Sequence, residues 1–177
     1  FLKKNFIISY TLLNFISDKT TYYLNSLNNY NEKKENEFIL SAVSGKTPKT
    51  EMWTINKELY NKYQNGVKKS LKYMKLLKDL CDKNNIKLTI AVYPRFTQIY
   101  HNDLDSIQVK IWNKFSQENS INFINYFPHF IANGLSLEQR MKVIKKYFIP
   151  FDHHHNKEGA QLIAHIFLEK FIFPLIN

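Results

Sequence analysis

Val67, Leu71, Met74, Leu77 and Cys81 recur at helical spacing, with lysines filling many of the positions between them. That pattern predicts an amphipathic helix over 66–83 with its lysines outward. Asn84-Asn85 closes it. The chain then reads Lys87-Leu88-Thr89-Ile90-Ala91-Val92-Tyr93, a nearly continuous apolar run stopped by Pro94, which is the profile of a buried parallel strand. Ile107, Ile111 and Phe115, with Trp112 adjoining, form the stripe of another helix, and 121–126 is the next strand, closed by Pro128. Ser136-Leu137-Glu138-Gln139 is a capping-box sequence that opens a helix running to about Tyr147. A last helix places Ala160, Ile163, Ala164, Phe167 and Phe171 on one face and is ended by Pro174. Upstream, residues 1–16 suit a helix, 18–37 are polar and Asn-rich and read as a loop enclosing a short helix, and 38–43 read as a brief strand or a helix end.

The succession helix, strand, helix, strand, helix, loop, helix predicts right-handed crossovers and a parallel sheet covered on both faces, an α/β three-layer α/β/α fold. Ligand chemistry in such sheets sits at the carboxyl ends of the strands. Tyr93-Pro94-Arg95, Asn125-Tyr126 and the loop holding Asp152 would all arrive there. The 177 residues fit one domain, 1–177, with enough chain to bury a sizeable core.

Charge changes this picture little. The net charge is +10, but the basic residues are overwhelmingly lysine, spread along the chain, with Arg95 and Arg140 the exceptions. Dispersed lysines describe solvated helix faces rather than an electrostatic footprint, so no nucleic-acid partner is expected. The run 6–16 follows two lysines but is interrupted by Ser, Thr and Asn and falls short of the roughly 20 residues a spanning helix needs. It is read as an internal packed helix, with no clear membrane span. Cys81 is alone and reads as a small buried hydrophobe. Ser44-Gly45-Lys46-Thr47 has the ending of a phosphate-binding loop, but Leu40 stands where its first glycine belongs and Pro48 blocks the helix that should follow. Position 1 is Phe rather than Met, and a segment upstream of it is expected.

The candidate chemistry lies in Phe148-Ile149-Pro150-Phe151-Asp152-His153-His154-His155-Asn156-Lys157-Glu158-Gly159. Side chains alternate along an extended segment, so Asp152 and His154 point one way while His153 and His155 point the other. A carboxylate beside a histidine at the mouth of a helix is the base half of a Ser-His-Asp device, in which the carboxylate fixes the tautomer and steadies the imidazolium. Asn156, three before Gly159, is placed to cap the helix starting near Lys157. A metal site built from Asp152, His153, His154 and His155 is disfavoured, because consecutive residues rarely converge on one ion. His101, His129 and His165 would join only through folding, and the last two read as surface or packing residues. No metal and no cofactor are expected.

Asp-x-His-x-Asn-x-x-Gly near a C-terminus, opening a last helix, resembles the final block of the SGNH (GDSL-like) hydrolases and the related alginate-type O-acetyltransferases. Ile90-Ala91-Val92-Tyr93-Pro94, then Gln98-Ile99, then Gln108 to Trp112, then Phe123-Ile124-Asn125-Tyr126-Phe127-Pro128 resemble the family's later strands and helices. Together these parts span 66–172. The resemblance implies a flavodoxin-like SGNH fold, here its C-terminal portion with the N-terminal part missing. It implies an acyl-ester hydrolase or O-acyltransferase acting through a Ser-His-Asp triad, with a small acyl ester or an acylated carbohydrate as substrate. The cell envelope would follow if the substrate is a polysaccharide. Many members space the block Asp-x-x-His, which would pair Asp152 with His155. The phase of Asn156 and Gly159 matches the Asp-x-His variant, with His154 as base, and His155 stands as the alternative. Neither the family's Gly-Asp-Ser nucleophile motif nor its Gly-x-Asn-Asp block is present, and Ser41 and Ser44 are the only hydroxyls at a plausible strand end. The chain is therefore expected to hold the Asp/His half of the triad. Arg95 and Tyr93 are the expected substrate contacts at the strand end, and Trp53 is an aromatic lid over the core or over a substrate pocket. The alternative is a module that keeps the fold without catalysing and binds a polysaccharide or a protein.

Overall fold

The computed structural model describes residues 32–44 and 50–172. The helix expected over 1–16, residues 18–31 of the expected loop, and Gly45 to Thr47 of the phosphate-loop look-alike lie outside them. Helix α1, Glu32–Val43, takes up both the end of the expected polar loop and the segment read as a strand or helix end. Its inner face is Ile39, Ala42 and Val43, the 3.6-residue period of a helix rather than the alternation of a strand. A 3-10 turn, Thr50–Thr54, leads to α2, Lys57–Lys83. This helix starts well before the predicted Gly66 because Asn56 caps it, accepting the amides of Glu58 and Leu59 at 2.9 and 3.1 Å. Gly66 lies inside the helix, at a point where a Cβ would meet nothing within 4 Å.

Strand β1, Thr89–Val92, is followed by the short helix α3, Phe96–Tyr100, and by α4, Ile107–Glu118, whose amino end is capped by Ser106. Strand β2, Asn122–Asn125, then pairs with β1 in parallel, Thr89 opposite Asn122 through Val92 opposite Asn125. Helix α4 crosses over between the strands and packs on both. Beyond them come α5, Phe127–Phe130, then α6, Leu137–Tyr147, then α7, Lys157–Phe167, with a wider turn over Leu168–Ile172. The capping box read from Ser136 and Gln139 is present in both directions, at 2.8 and 3.2 Å.

The expected three-layer α/β/α fold with its broad parallel sheet is overturned. Among the described residues the body is mostly helical, and its sheet has two strands. The side chains show why the apolar runs misled. Ile90 and Val92 are buried on one face of β1, but Ala91 on the other is exposed, so among the described residues the strand is covered on one side. A continuous apolar run predicts burial on both faces. Its opposite side has nothing larger than Ala91 and Thr89 to bury.

The core gathers residues from both strands and from α1, α3, α4, α5, α6 and α7. Tyr126, Phe96, Phe127, Phe130, Ile99, Ile131, Ile144 and Ile166 are its most enclosed large side chains. Helix α7 meets it through Gly159 and Ile166, with Leu162 and Ile163 half-buried, whereas Ala160 and Ala164 are exposed. The predicted apolar face is therefore rotated by about one position. Among the described residues no helix is long and apolar enough to cross a membrane.

Candidate active site

Between α6 and α7 the chain doubles back on itself. Phe148 and His155 face each other as an antiparallel pair, the Ile149 amide donates to the His154 carbonyl at 3.0 Å, and the Asn156 amide donates to the Tyr147 carbonyl at 3.0 Å. The bend itself is a four-residue turn closed by the Asp152 amide on the Ile149 carbonyl at 3.0 Å. Pro150 holds its second position and Phe151 its third, with φ of 63°. Proline cannot adopt a positive φ, so this is a type II turn, whose third position normally takes glycine. A bulky residue in the left-handed region stores about 1–2 kcal/mol of strain. Phe151 stays there with its ring edge-on to Phe38 at 5.9 Å.

The turn delivers Asp152 to the mouth of the loop. Its Oδ1 accepts the backbone amide of His153, the amide of His154 at 3.3 Å, and Nδ1 of the His154 ring at 2.7 Å. An ionised carboxylate only accepts, so His154 carries its proton on Nδ1 and presents Nε2 as the basic nitrogen. Burial pushes the Asp152 carboxyl up, but the hydrogen bonds from the His154 ring and the two amides outweigh it and hold the group below the usual carboxylate value. The His154 side chain is 78% exposed, and among the described residues Nε2 makes no hydrogen bond. The geometry is that of an imidazole oriented by a carboxylate with its free nitrogen open to solvent.

The neighbouring histidines turn inward, as alternation requires. His153 stacks on Phe96 with ring centres 4.7 Å apart and meets the edge of Phe38 at 5.8 Å. His155 lies among Phe130, Phe148 and Tyr93 at 5.2, 4.4 and 5.2 Å. With their rings on opposite sides of the loop, the three histidines do not converge, and among the described residues no group of three His, Cys, Asp or Glu side chains is placed to hold a metal ion. Asn156 caps α7, its Oδ1 accepting the Gly159 amide at 2.9 Å while Nδ2 reaches back to the carbonyls of Lys146 and Phe148 at 2.9 and 3.2 Å. One side chain thereby ties the end of α6, the loop and the start of α7. Gly159 is required by closeness: a Cβ there would lie 2.3 Å from the Tyr147 carbonyl oxygen.

The β1 end reaches the same place. Tyr93 is half-exposed beside His155, and the Arg95 charge is near enough to help depress the His155 pKa. Behind them Gln98, fully buried, accepts the Arg95 amide on Oε1 at 2.9 Å. Its amide nitrogen lies 3.2–3.3 Å from oxygens of Thr54, Asp103, Ser106 and Gln108. Two hydrogens cannot serve four acceptors at once, so this polar knot shares them, bolting the 3-10 turn and the start of α4 to the segment carrying Arg95. Burial raises the Asp103 pKa, against the lowering by hydrogen bonds from Ser106, Thr54 and Gln98.

Trp53 goes elsewhere. It stacks on Tyr60 at 6.1 Å and lines a groove of about 240 Å³ with Val67, Leu71, Ile111 and Trp112, between α2 and α4. Ser41 and Ser44 donate their hydroxyls to the carbonyls of Phe38 and Ser41, at 2.8 and 3.1 Å, around the carboxyl end of α1. His165 pairs with Glu169 at 3.1 Å on the outside of α7.

Sequence reasoning missed the aromatic frame of Phe96, Phe130 and Phe148, the strained Phe151 and the Tyr147 carbonyl. Pro150 signalled the turn, but the absence of glycine after it concealed the type. No protein-family model, curated protein or solved structure matches the chain. The likeness to SGNH hydrolases rests on the residues quoted above.

Proposed function

We propose that Asp152 and His154 are the orienting acid and general base of an acyl-ester hydrolase or O-acyltransferase. The observation that carries this reading is the 2.7 Å contact between His154 Nδ1 and Asp152 Oδ1, with Nε2 facing outward. In such a pair Nε2 takes the proton of an attacking hydroxyl and later returns it to the departing alkoxide, while the carboxylate stabilises the imidazolium between the two events. The nucleophile is a serine hydroxyl supplied from outside the described residues, since Ser41 and Ser44 are committed to their own helix. Arg95 and Tyr93, on the same rim, are the contacts for an acyl ester or an acylated carbohydrate.

A second reading is favoured by one observation. Helix α2 exposes Tyr73, Leu76, Leu77 and Leu80, a surface suited to a protein partner, and this favours a non-catalytic binding module. Hydrolysis of p-nitrophenyl acetate by the protein with its serine-bearing segment present separates the two. An enzyme accelerates it, and Asp152→Asn, which leaves the loop's shape but removes the charge that selects the tautomer, lowers turnover by about 10³–10⁴-fold. A wild-type rate equal to that of free imidazole at the same concentration sinks the catalytic reading and leaves the binding one.

A further inference from the structure

Three contacts converge on one backbone oxygen, the Tyr147 carbonyl at the end of α6. It accepts the Asn156 amide, lies 3.3 Å from Nδ1 of His155, and is approached so closely by Gly159 that no side chain fits between them. A carbonyl only accepts, so Nδ1 of His155 carries a proton. Burial depresses the His155 pKa, the Tyr147 contact opposes that, and the charges of Arg95 and His154 add to it. The ring is neutral at pH 7, and its Nε2 is an acceptor. That nitrogen is buried and, among the described residues, has no hydrogen-bond partner. A phenylalanine would fill the cage of Phe130, Phe148 and Tyr93 without stranding an acceptor, which destabilises a fold. What phenylalanine lacks is the N–H that holds the Tyr147 carbonyl.

We propose that His155 is a positioning residue for the Asp152–His154 pair: clamped between the aromatic cage and the Tyr147 carbonyl, it fixes the backbone so that the next ring turns outward onto Asp152. The inference rests on the acyl-transfer reading of that pair. Neighbouring side chains on a paired segment point to opposite sides, so a ring locked inward at position 155 dictates an outward ring at position 154. The hydrogen bond rather than the packing supplies the lock. The aromatic faces constrain the plane of the His155 ring, but only the Nδ1–H to Tyr147 bond fixes its rotation within the cage.

Long-range proton–nitrogen correlation spectra of the ¹⁵N-histidine-labelled chain at neutral pH read which nitrogen of His154 is protonated. The wild type shows the Nδ1–H form that Asp152 demands. His155→Phe, which keeps the packing and loses the bond, shifts His154 to the Nε2–H form that free imidazole side chains favour. His155→Asn, which keeps a donor toward Tyr147 without the ring, retains Nδ1–H. Unchanged Nδ1–H in a folded His155→Phe variant overturns the positioning role while leaving the pair intact. If His155→Phe does not fold, His155→Asn decides, and loss of Nδ1–H there overturns the role. A wild type lacking Nδ1–H on His154 overturns the pair itself, and with it the reading on which this inference stands.

Discussion

Phe148 and Leu80 are both large apolar residues on strongly patterned stretches of chain, yet 2% of Phe148 is exposed and 58% of Leu80. Phe148 is met from several directions, by Phe96 from α3, by His155 across the loop, and by the core between α6 and α7. Leu80 belongs to a helix of 27 residues none of which is fully buried, packed mainly on the 3-10 turn. Its inner stripe of Val67, Leu71, Met74 and Cys81 is half-covered, and Tyr73, Leu76, Leu77 and Leu80 form a second stripe beside it that the described residues leave open. Periodicity decides which face of an element is apolar. Burial also needs neighbours on every side of that face, and those come from the rest of the chain.

The contrast can be broken by truncation. Phe148→Ala removes a ring from a site closed on all sides, and a loss of about 3–5 kcal/mol in unfolding free energy is expected from urea denaturation. A loss below about 1 kcal/mol would mean the loop is no better packed than α2. Acid sharpens the same contrast, because the loop hides a histidine and α2 has none. His155 has a folded pKa below its unfolded one, so the unfolded chain binds the proton first and stability falls as pH drops through 6.5. The urea midpoint should therefore be lower at pH 5.5 than at pH 7.5, with a smaller difference in His155→Phe. His129, depressed by its own burial and by Lys170, leaves a residual slope. Asp152 adds its share only below 3.8, where its lowered pKa makes stability fall further with acid. A pH difference as large in His155→Phe as in the wild type would mean that the His155 ring is solvated. Least of all, Leu80→Lys on the open stripe of α2 should change the unfolding free energy by no more than about 0.5 kcal/mol. A loss of several kcal/mol would show the stripe to be covered.

What could be read beforehand divides along the same line. The caps of α6 and α7 were legible from Ser136, Gln139 and Asn156, since a cap is settled within four residues. The Asp152–His154 contact was legible from alternation for the same reason, being local to three residues. Long-range facts were not. Whether β1 is flanked by one strand or two, and covered on one face or both, depends on residues far from 89–92, and the apolar run was silent about it. The cage around His155 draws on Tyr93, Phe130 and Phe148, separated by 37 and 18 positions, and no local signal joins them. Phe151 was hidden differently: its left-handed turn breaks the residue preference that would have announced it.

His154, and not its inward neighbour, is assigned as the base. Turnover of one acyl ester by His154→Ala and His155→Ala, made in the protein with its serine-bearing segment present and measured side by side, tests that assignment. Removing the base of such a device costs about 10⁴–10⁶-fold in turnover, whereas loosening its support leaves measurable activity. His154→Ala should be inactive and His155→Ala weakened but active. An active His154→Ala beside an inactive, folded His155→Ala would contradict it, and would move the base into the cage.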